Sequence, residues 1–396
     1  VSDRAYRLGR PEVRGAVFGW RPGQAACVAL GAVACVSLCN LGGPAATSVG
    51  VGVLLAGMLA AVLPVRGRGA DQWAPITAAF LLGRRRGPWC AGVAVDVLVI
   101  AEREVGCLTW PDGRRTVVLA LQARGLRALG DEPQAPGEAI AAWLRGLAGA
   151  GAPPCTVTML TVTRRAARAG DAPWMDPGCE VRSFIAVTSV SPHTSMQGLE
   201  EAVHHGARLL GAGEVATLLE ERLEPAFGDL LGADLRQRWR LVEGPATVHA
   251  AFVVEEWPTG DVDEQVLTPL CVGPDRRTVA IALHVEELHR SRQRTARLRT
   301  TAAADDALAD RGGFLASAES ARNAARDTER AAELAAGHGS VRMAGVIGID
   351  APDPASLEAA ASRLLADAGA CGARLRRCDG DHRRGLAATI PGWCVP

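Results

Sequence analysis

A few groupings of side chains have types and spacings that could do chemistry. Cys378 and His382 stand four apart beside Asp379 and Asp381, a mixed donor set of the kind that binds a transition metal. One Cys, one His and two Asp in one loop fall short of the four-ligand spacing of structural zinc, so the segment reads as a solvated turn. Asp261, Asp263 and Glu264 could hold a divalent cation, but the twelve-residue calcium-loop pattern is absent and a solvated turn between strands is the plainer reading. His204 and His205 are adjacent, so on a helix they face different ways, whereas a helical zinc pair needs i and i+4. His284 and His289 are five apart. Glycine-rich spots occur at Gly146, Gly149 and Gly151 and at Gly211 and Gly213. Both read as loop glycines after helices, not as a phosphate loop between a strand and a helix. The acid pairs Glu200–Glu201, Glu220–Glu221 and Glu286–Glu287 fall on helices or helix starts, where solvated faces are the default. No G-x-S-x-G or H-E-x-x-H pattern occurs.

The base chemistry narrows the field further. The chain has no lysine: all 43 basic residues are arginine, balanced by 43 acids. A phosphate-loop lysine, a Schiff base and pyridoxal chemistry are therefore excluded. No catalytic residue, cofactor or metal ligand is expected, and the protein is read as not an enzyme. A neutral whole-chain charge also gives no general nucleic-acid footprint. The arginines gather in two places instead. Arg14 and Arg21, then Arg66, Arg68, Arg84, Arg85 and Arg86 with Trp73, flank an uncharged stretch. Arg290, Arg292, Arg294, Arg297 and Arg299 open a long polar tract and suit a nucleic-acid or phospholipid contact, against the plainer reading of a solvated helix.

The elements that position these residues follow from hydropathy. The chain has 396 residues, 48% of them hydrophobic and 22% charged, enough for more than one packed unit. From Ala25 to Val65 there is no charge. Leu41–Gly42–Gly43–Pro44 splits this run into two pieces, each about long enough to cross a bilayer as a helix. A signal peptide would have one apolar core and then a secreted polar domain. The pair thus reads as a transmembrane hairpin. Arginines precede the first span and follow the second, and the turn has none, so the positive-inside rule places both termini in the cytoplasm. The eleven cysteines are scattered without C-x-x-C and read as small buried apolar residues in a reducing compartment. Val1 is what a GTG start codon translated literally would give, so the native N-terminus is expected within this sequence.

The expected organisation is α+β: a basic N-terminus at 1–21, the hairpin at 22–65, a juxtamembrane amphipathic segment at 66–89, a cytosolic α+β domain at 90–285, a helical tract at 286–336 and a C-terminal α+β unit at 337–396. Period-two patterns predict strands at 91–102, 116–125, 155–163, 181–190, 247–256, 278–285, 341–349, 373–378 and 386–390. Helical patterns fall at 71–83, 137–147, 196–210, 213–223 and 355–369, and the tract breaks at Gly312–Gly313. This suggests two related small α+β layers, each with its own mixed sheet, bridged by the helical tract.

Several segments carry a family resemblance. They are Trp73-Ala74-Pro75, the E-E-W-P run from Glu255 to Pro258, the R-R-T-V strand from Arg276 to Val279, Gly312-Gly313-Phe314, the strand from Arg342 to Ile349, and the closing stretch from Ala387 to Gly392. With the basic start and the hairpin, the layout resembles the actinobacterial PrgI-type membrane proteins of conjugative, type IV secretion-like modules. That resemblance covers nearly the whole chain. It implies a two-span membrane subunit fused to a cytosolic domain similar to the N-terminal, non-ATPase part of the type IV secretion ATPase. It also implies a scaffold role in DNA or protein transfer, with a separate ATPase and other membrane subunits as partners and a homo- or hetero-oligomeric state. It carries over no catalytic residues. A type VII secretion core component of the EccE kind has the same layout and is the alternative; a membrane-anchored enzyme, using the Asp261 or His382 groupings, is the third.

Overall fold

The computed structural model describes residues 22–63, 68–81, 94–100, 103–121, 155–165, 179–189, 207–215, 235–244, 246–258, 266–286, 288–311, 318–336 and 340–391. The chain divides into two compact units. One holds residues 85–291 and 337–396, together with the first eleven; the other holds residues 12–84 and 292–336.

The first unit is built on one sheet. Its strands are β1 Ala94–Ile100, β2 Arg103–Thr109, β3 Arg115–Leu121, β4 Cys155–Arg165, β5 Cys179–Ser189, β6 Ala207–Leu209, β7 Arg236–Gln237, β8 Val242–Glu243, β9 Val248–Glu256, β10 Arg276–Glu286, β11 Ser340–Ala351 and β12 Arg374–Arg377. All pair antiparallel in the order β1-β2-β3-β5-β4-β10-β11-β9-β8-β7, with β6 added beside β3 and β12 beside β9. The fold is thus α+β, as expected, but the two small sheets are one. Strands β4 and β10 pair over their length, from Cys155↔Val285 to Thr163↔Arg277, and fuse the layers edge to edge. Both strands are rich in β-branched residues, Thr156, Val157, Thr158, Thr161, Val162 and Thr163 in β4 and Thr278, Val279, Ile281 and Val285 in β10, so neither is suited to remain an open edge.

The two halves of the sheet have the same topology. In the first, β3 has β5 on one side, and β2 then β6 along the other. In the second, β9 has β11 on one side, and β8 then β12 along the other. In each half a backbone N–H just past the short strand returns to the central one: Leu210 to the Val118 carbonyl (3.1 Å), Cys378 to the Ala251 carbonyl (2.9 Å). Helical residues 212–215 follow the first of these, and α8 His382–Ala387 follows the second. The sheet is therefore an internal repeat closed at the β4–β10 pairing.

Both faces are packed. On one lie Leu108, Val118, Leu160, Phe184, Ala251, Ala280, Leu386 and Ile390. On the other, α7 Pro354–Ala370 covers Phe252, Val279, Ile347 and Ile349 with Leu357 and Leu364, and α4 Thr268–Cys271 packs beside it. Asp353 caps α7, accepting the Ser356 N–H (2.9 Å). Trp257 is 2% exposed, and a Cβ on Gly345 would lie 2.7 Å from its ring, so the glycine makes room for the indole. Arg277 is sealed in this face, donating to Asp367 (2.9 Å) and the Pro269 carbonyl (3.0 Å).

Four local expectations are corrected. Strand β2 lies where no element was expected, and Asp112–Gly113 turns β2 into β3 with Gly113 at φ 82°. Residues 207–209 are strand rather than the end of a helix, because they fill the vacant edge of β3. Gly211 consequently does follow a strand and open a helical turn. Residues 386–390 are not strand: Leu386 and Ala387 end α8, and the N–H groups of Ala388, Thr389 and Ile390 bond back to Gly385, Leu386 and Ala387. The helix expected at 213–223 is helical over its described residues 213–215; the helix expected at 137–147 and the parts of the other two at 196–206 and 216–223 lie outside the described residues.

The second unit is helical. It contains α1 Pro22–Asn40, α2 Pro44–Val62, α3 Ala70–Leu81, α5 Leu288–Arg311 from Arg292 onward, and α6 Ala318–Ala335. The break expected at Gly312–Gly313 lies outside the described residues, which resume at the start of α6.

Candidate functional site: the apolar hairpin and the arginine helix

Helices α1 and α2 are long and apolar enough to cross a membrane. They form an antiparallel hairpin around Gly42 and Gly43, both at positive φ (77° and 94°), where a side chain would be strained. Their seam is made of small residues. A Cβ on Gly57 would stand 3.0 Å from the Cys27 carbonyl oxygen, and one on Gly50 3.1 Å from that of Cys35. Gly31 meets the backbone of Val53 and Leu54 from the other side. Such close backbone approach is how apolar helices associate where no hydrophobic force acts between them. The large side chains point away: Leu30, Val33, Val36, Leu55, Leu59 and Val62 are all more than half exposed. A soluble helical hairpin would bury them. Three of its polar side chains bond within the hairpin: the Thr47 and Ser48 hydroxyls donate to the Gly43 and Pro44 carbonyls, and Gln24 donates to the Ala61 carbonyl (2.6 Å). Cys27, Cys35 and Cys39 belong to this hairpin and are not buried, Cys39 being exposed, which departs from the expected burial; Cys107, Cys155, Cys271, Cys371 and Cys378 are buried free thiols, in keeping with it. Burial pushes Cys155 and Cys271 up to about 11.

Of the expected flanking residues, Arg68 and Trp73 are described. The Arg68 guanidinium stacks over the Trp73 ring at 5.0 Å, and Arg68 is buried rather than reaching outward. Helix α3 lies against the hairpin, where Gly23 lets the Asp71 side chain approach. Arg14, Arg21, Arg66, Arg84, Arg85 and Arg86 lie outside the described residues.

The five arginines of α5 do not share one face. At 100° per residue, Arg290 and Arg297 form one row and Arg292 and Arg299 another, on opposite flanks of a buried seam at Ser291 and Thr295 continued by Leu298 and Ala302. Arg294 is half-buried beside the first row. Arg292 donates to the Leu334 carbonyl from Nε (3.0 Å) and Nη2 (2.8 Å), capping the C-terminal turn of α6.

The remaining groupings that fall on described residues are held by contacts within the fold. The turn at Cys378–His382 is not solvated but buried. Gly380, at φ 74°, donates to the Trp239 carbonyl (2.7 Å), and His382 Nδ1 accepts the Ala251 N–H (3.1 Å). Repeat symmetry explains this, since the segment runs back onto β9 as residues after Leu209 run back onto β3. Burial pushes Arg383 beside it down to about 10. Among the described residues no three His, Cys, Asp or Glu side chains converge as for a metal. At Gly211, the N–H that opens the helical turn is taken by the Glu214 carboxylate (3.0 Å), so it is not presented to a phosphate. Glu286 accepts from the Ser291 hydroxyl (3.1 Å) and pairs with Arg342 (3.1 Å). Asp261, Asp263, Glu264, His204 and His205 lie outside the described residues.

One polar chain was missed by local reading. His249 Nδ1 meets Asp350 (2.9 Å), its Nε2 meets the Thr247 hydroxyl (3.1 Å), and Asp350 pairs with Arg276 (3.2 Å). The order is that of a nucleophile, base and orienting acid. His249 is only 1% exposed, and the chain pins β9 to β11 and β10. Its signal lies in strand register, which no local spacing reveals. No protein-family model matches the chain, and neither does any curated protein.

Proposed function

We propose that the protein is a non-enzymatic inner-membrane scaffold of a conjugative, type IV secretion-like transfer machine. The hairpin anchors it, both termini and the sheet unit face the cytoplasm, and the sheet unit docks a separate ATPase and sister membrane subunits. The observation that carries the anchoring is the hairpin's inside-out packing: glycines in the seam and leucines and valines outward. The flanking arginines support the orientation through the positive-inside rule. The machine's identity rests on the resemblance to PrgI-type proteins in the sequence segments named above.

The test is a tagged pull-down of the full chain from detergent-solubilised membranes, read by mass spectrometry. Recovery of a phosphate-loop ATPase with a relaxase or coupling protein is the expected result. Recovery of small WXG-type substrates and their ATPase would move the protein to a type VII machine. A chain released into the soluble fraction without detergent would end the membrane reading.

A further inference from the structure

We propose that α5 is a headgroup-binding helix that lies on an anionic phospholipid surface. The inference rests on the membrane reading of the hairpin. It chooses between the two partners, lipid and nucleic acid, that an arginine-rich tract admits.

Three observations carry it. First, from Leu288 to Ala304 the helix has five arginines and no acid. Second, the arginines are arranged as two rails, Arg290 with Arg297 and Arg292 with Arg299, each with a seven-residue spacing of about 10 Å along the axis. Between the rails, opposite the buried seam, runs a strip of exposed, small or uncharged residues: Gln293, Ala296, Thr300 and Ala303. A flat strip between two cationic rails lets a helix approach a plane of phosphates with both rails in reach, while a groove-reading helix would concentrate its cations on one leading face. Third, from Arg292 onward α5 belongs to the same compact unit as α1, α2 and α3, the helices read as membrane-spanning and juxtamembrane. The Arg292–Leu334 contacts hold one rail in place against α6.

The experiment uses the full chain in nanodiscs of phosphatidylcholine with increasing phosphatidylglycerol. A phosphatidylglycerol probe with a photoreactive headgroup, and a matching phosphatidylcholine probe, are crosslinked and mapped by mass spectrometry. Labelling of peptides within 288–304 by the anionic probe, and not by the neutral one, is expected. An arginine near an anionic surface contributes about a fivefold preference. R297Q/R299Q, one exposed residue from each rail, should therefore lower that labelling by more than about tenfold, and R297K/R299K should keep most of it. Equal labelling by both probes, or anionic labelling confined to other segments, overturns the proposal. So does protection of 288–304 only on adding duplex DNA, which would assign the rails to nucleic acid. An acyl-chain probe reports the hairpin separately: if it fails to label residues 22–62, the membrane reading itself has failed.

Discussion

At the scale of single residues, the sheet unit places polar side chains in a row across the strands. Thr116, Thr188, Thr156 and His284 stand in register on β3, β5, β4 and β10. His284 Nδ1 meets the Thr156 hydroxyl at 3.0 Å. Burial holds the His284 imidazole below its ordinary 6.5, the nearby Arg342 lowers it further, and Glu286 offsets part of this. The folded protein thus takes up this proton at lower pH than the unfolded chain does. As pH falls through 6.5 the unfolded state gains a proton that the folded state does not, so stability drops from about 6.5 downward until the folded imidazole also titrates. The slope is at most about 1.4 kcal/mol per pH unit, the limit for one proton. His284→Gln keeps a partner for Thr156 and removes the titration. Denaturant midpoints of the full chain in detergent should therefore fall more steeply between pH 7 and 5.5 for the wild type than for the variant. Parallel profiles would assign the pH dependence to other groups.

At the scale of elements, α1 and α2 offer a paired test of how the hairpin is held. Gly57 and Gly50 face the partner helix at 3.0 and 3.1 Å, whereas a Cβ on Gly52 would meet nothing within 4 Å. All three are helix-interior glycines, so replacing any of them by valine changes propensity alike. Gly57→Val adds overpacking of about 1–3 kcal/mol against the Cys27 carbonyl, and Gly52→Val does not. Thermal unfolding in detergent should show a lower midpoint for Gly57→Val alone; equal effects would mean the helices are not packed through this seam. The hairpin was legible from sequence because lack of charge over bilayer length is a local property. So were β3, β4, β5, β9, β10 and β11, which are rich in β-branched residues. What escaped depends on distant partners. Arg103–Thr109 is short and opens on charged residues, and it becomes a strand by pairing between β1 and β3. Residues 207–209 and the buried turn at Cys378–His382 take their form from the free flanks of β3 and β9. The polar chain through His249 is a matter of register, and spacing along the sequence says nothing of register.

At the scale of the whole molecule, the internal repeat identifies what was added to it. In the first half, β4 and β5 pair down to Arg165↔Cys179, and residues 166–178 join them. In the second, the equivalent β10 and β11 pair down to Glu286↔Ser340, and the connection carries both α5 and α6. The same topological step is thus made once by a short link and once by a helical insertion that belongs, from Arg292 on, to the other compact unit. Strand ends already held in register by eleven paired positions do not require the insertion to close. Loop length adds little entropy, since each doubling of a connection costs only about 0.6 kcal/mol. Replacing residues 287–339 by the sequence of residues 166–178 should therefore leave the sheet unit folded, with a single cooperative denaturant transition and unchanged strand signal in circular dichroism. Loss of cooperative unfolding would show that the helices are part of the sheet's own core. If the sheet survives, the excised protein also separates the roles of the two units: partner recovery in the pull-down should persist where it depends on the sheet, and crosslinking to anionic headgroups should disappear with α5.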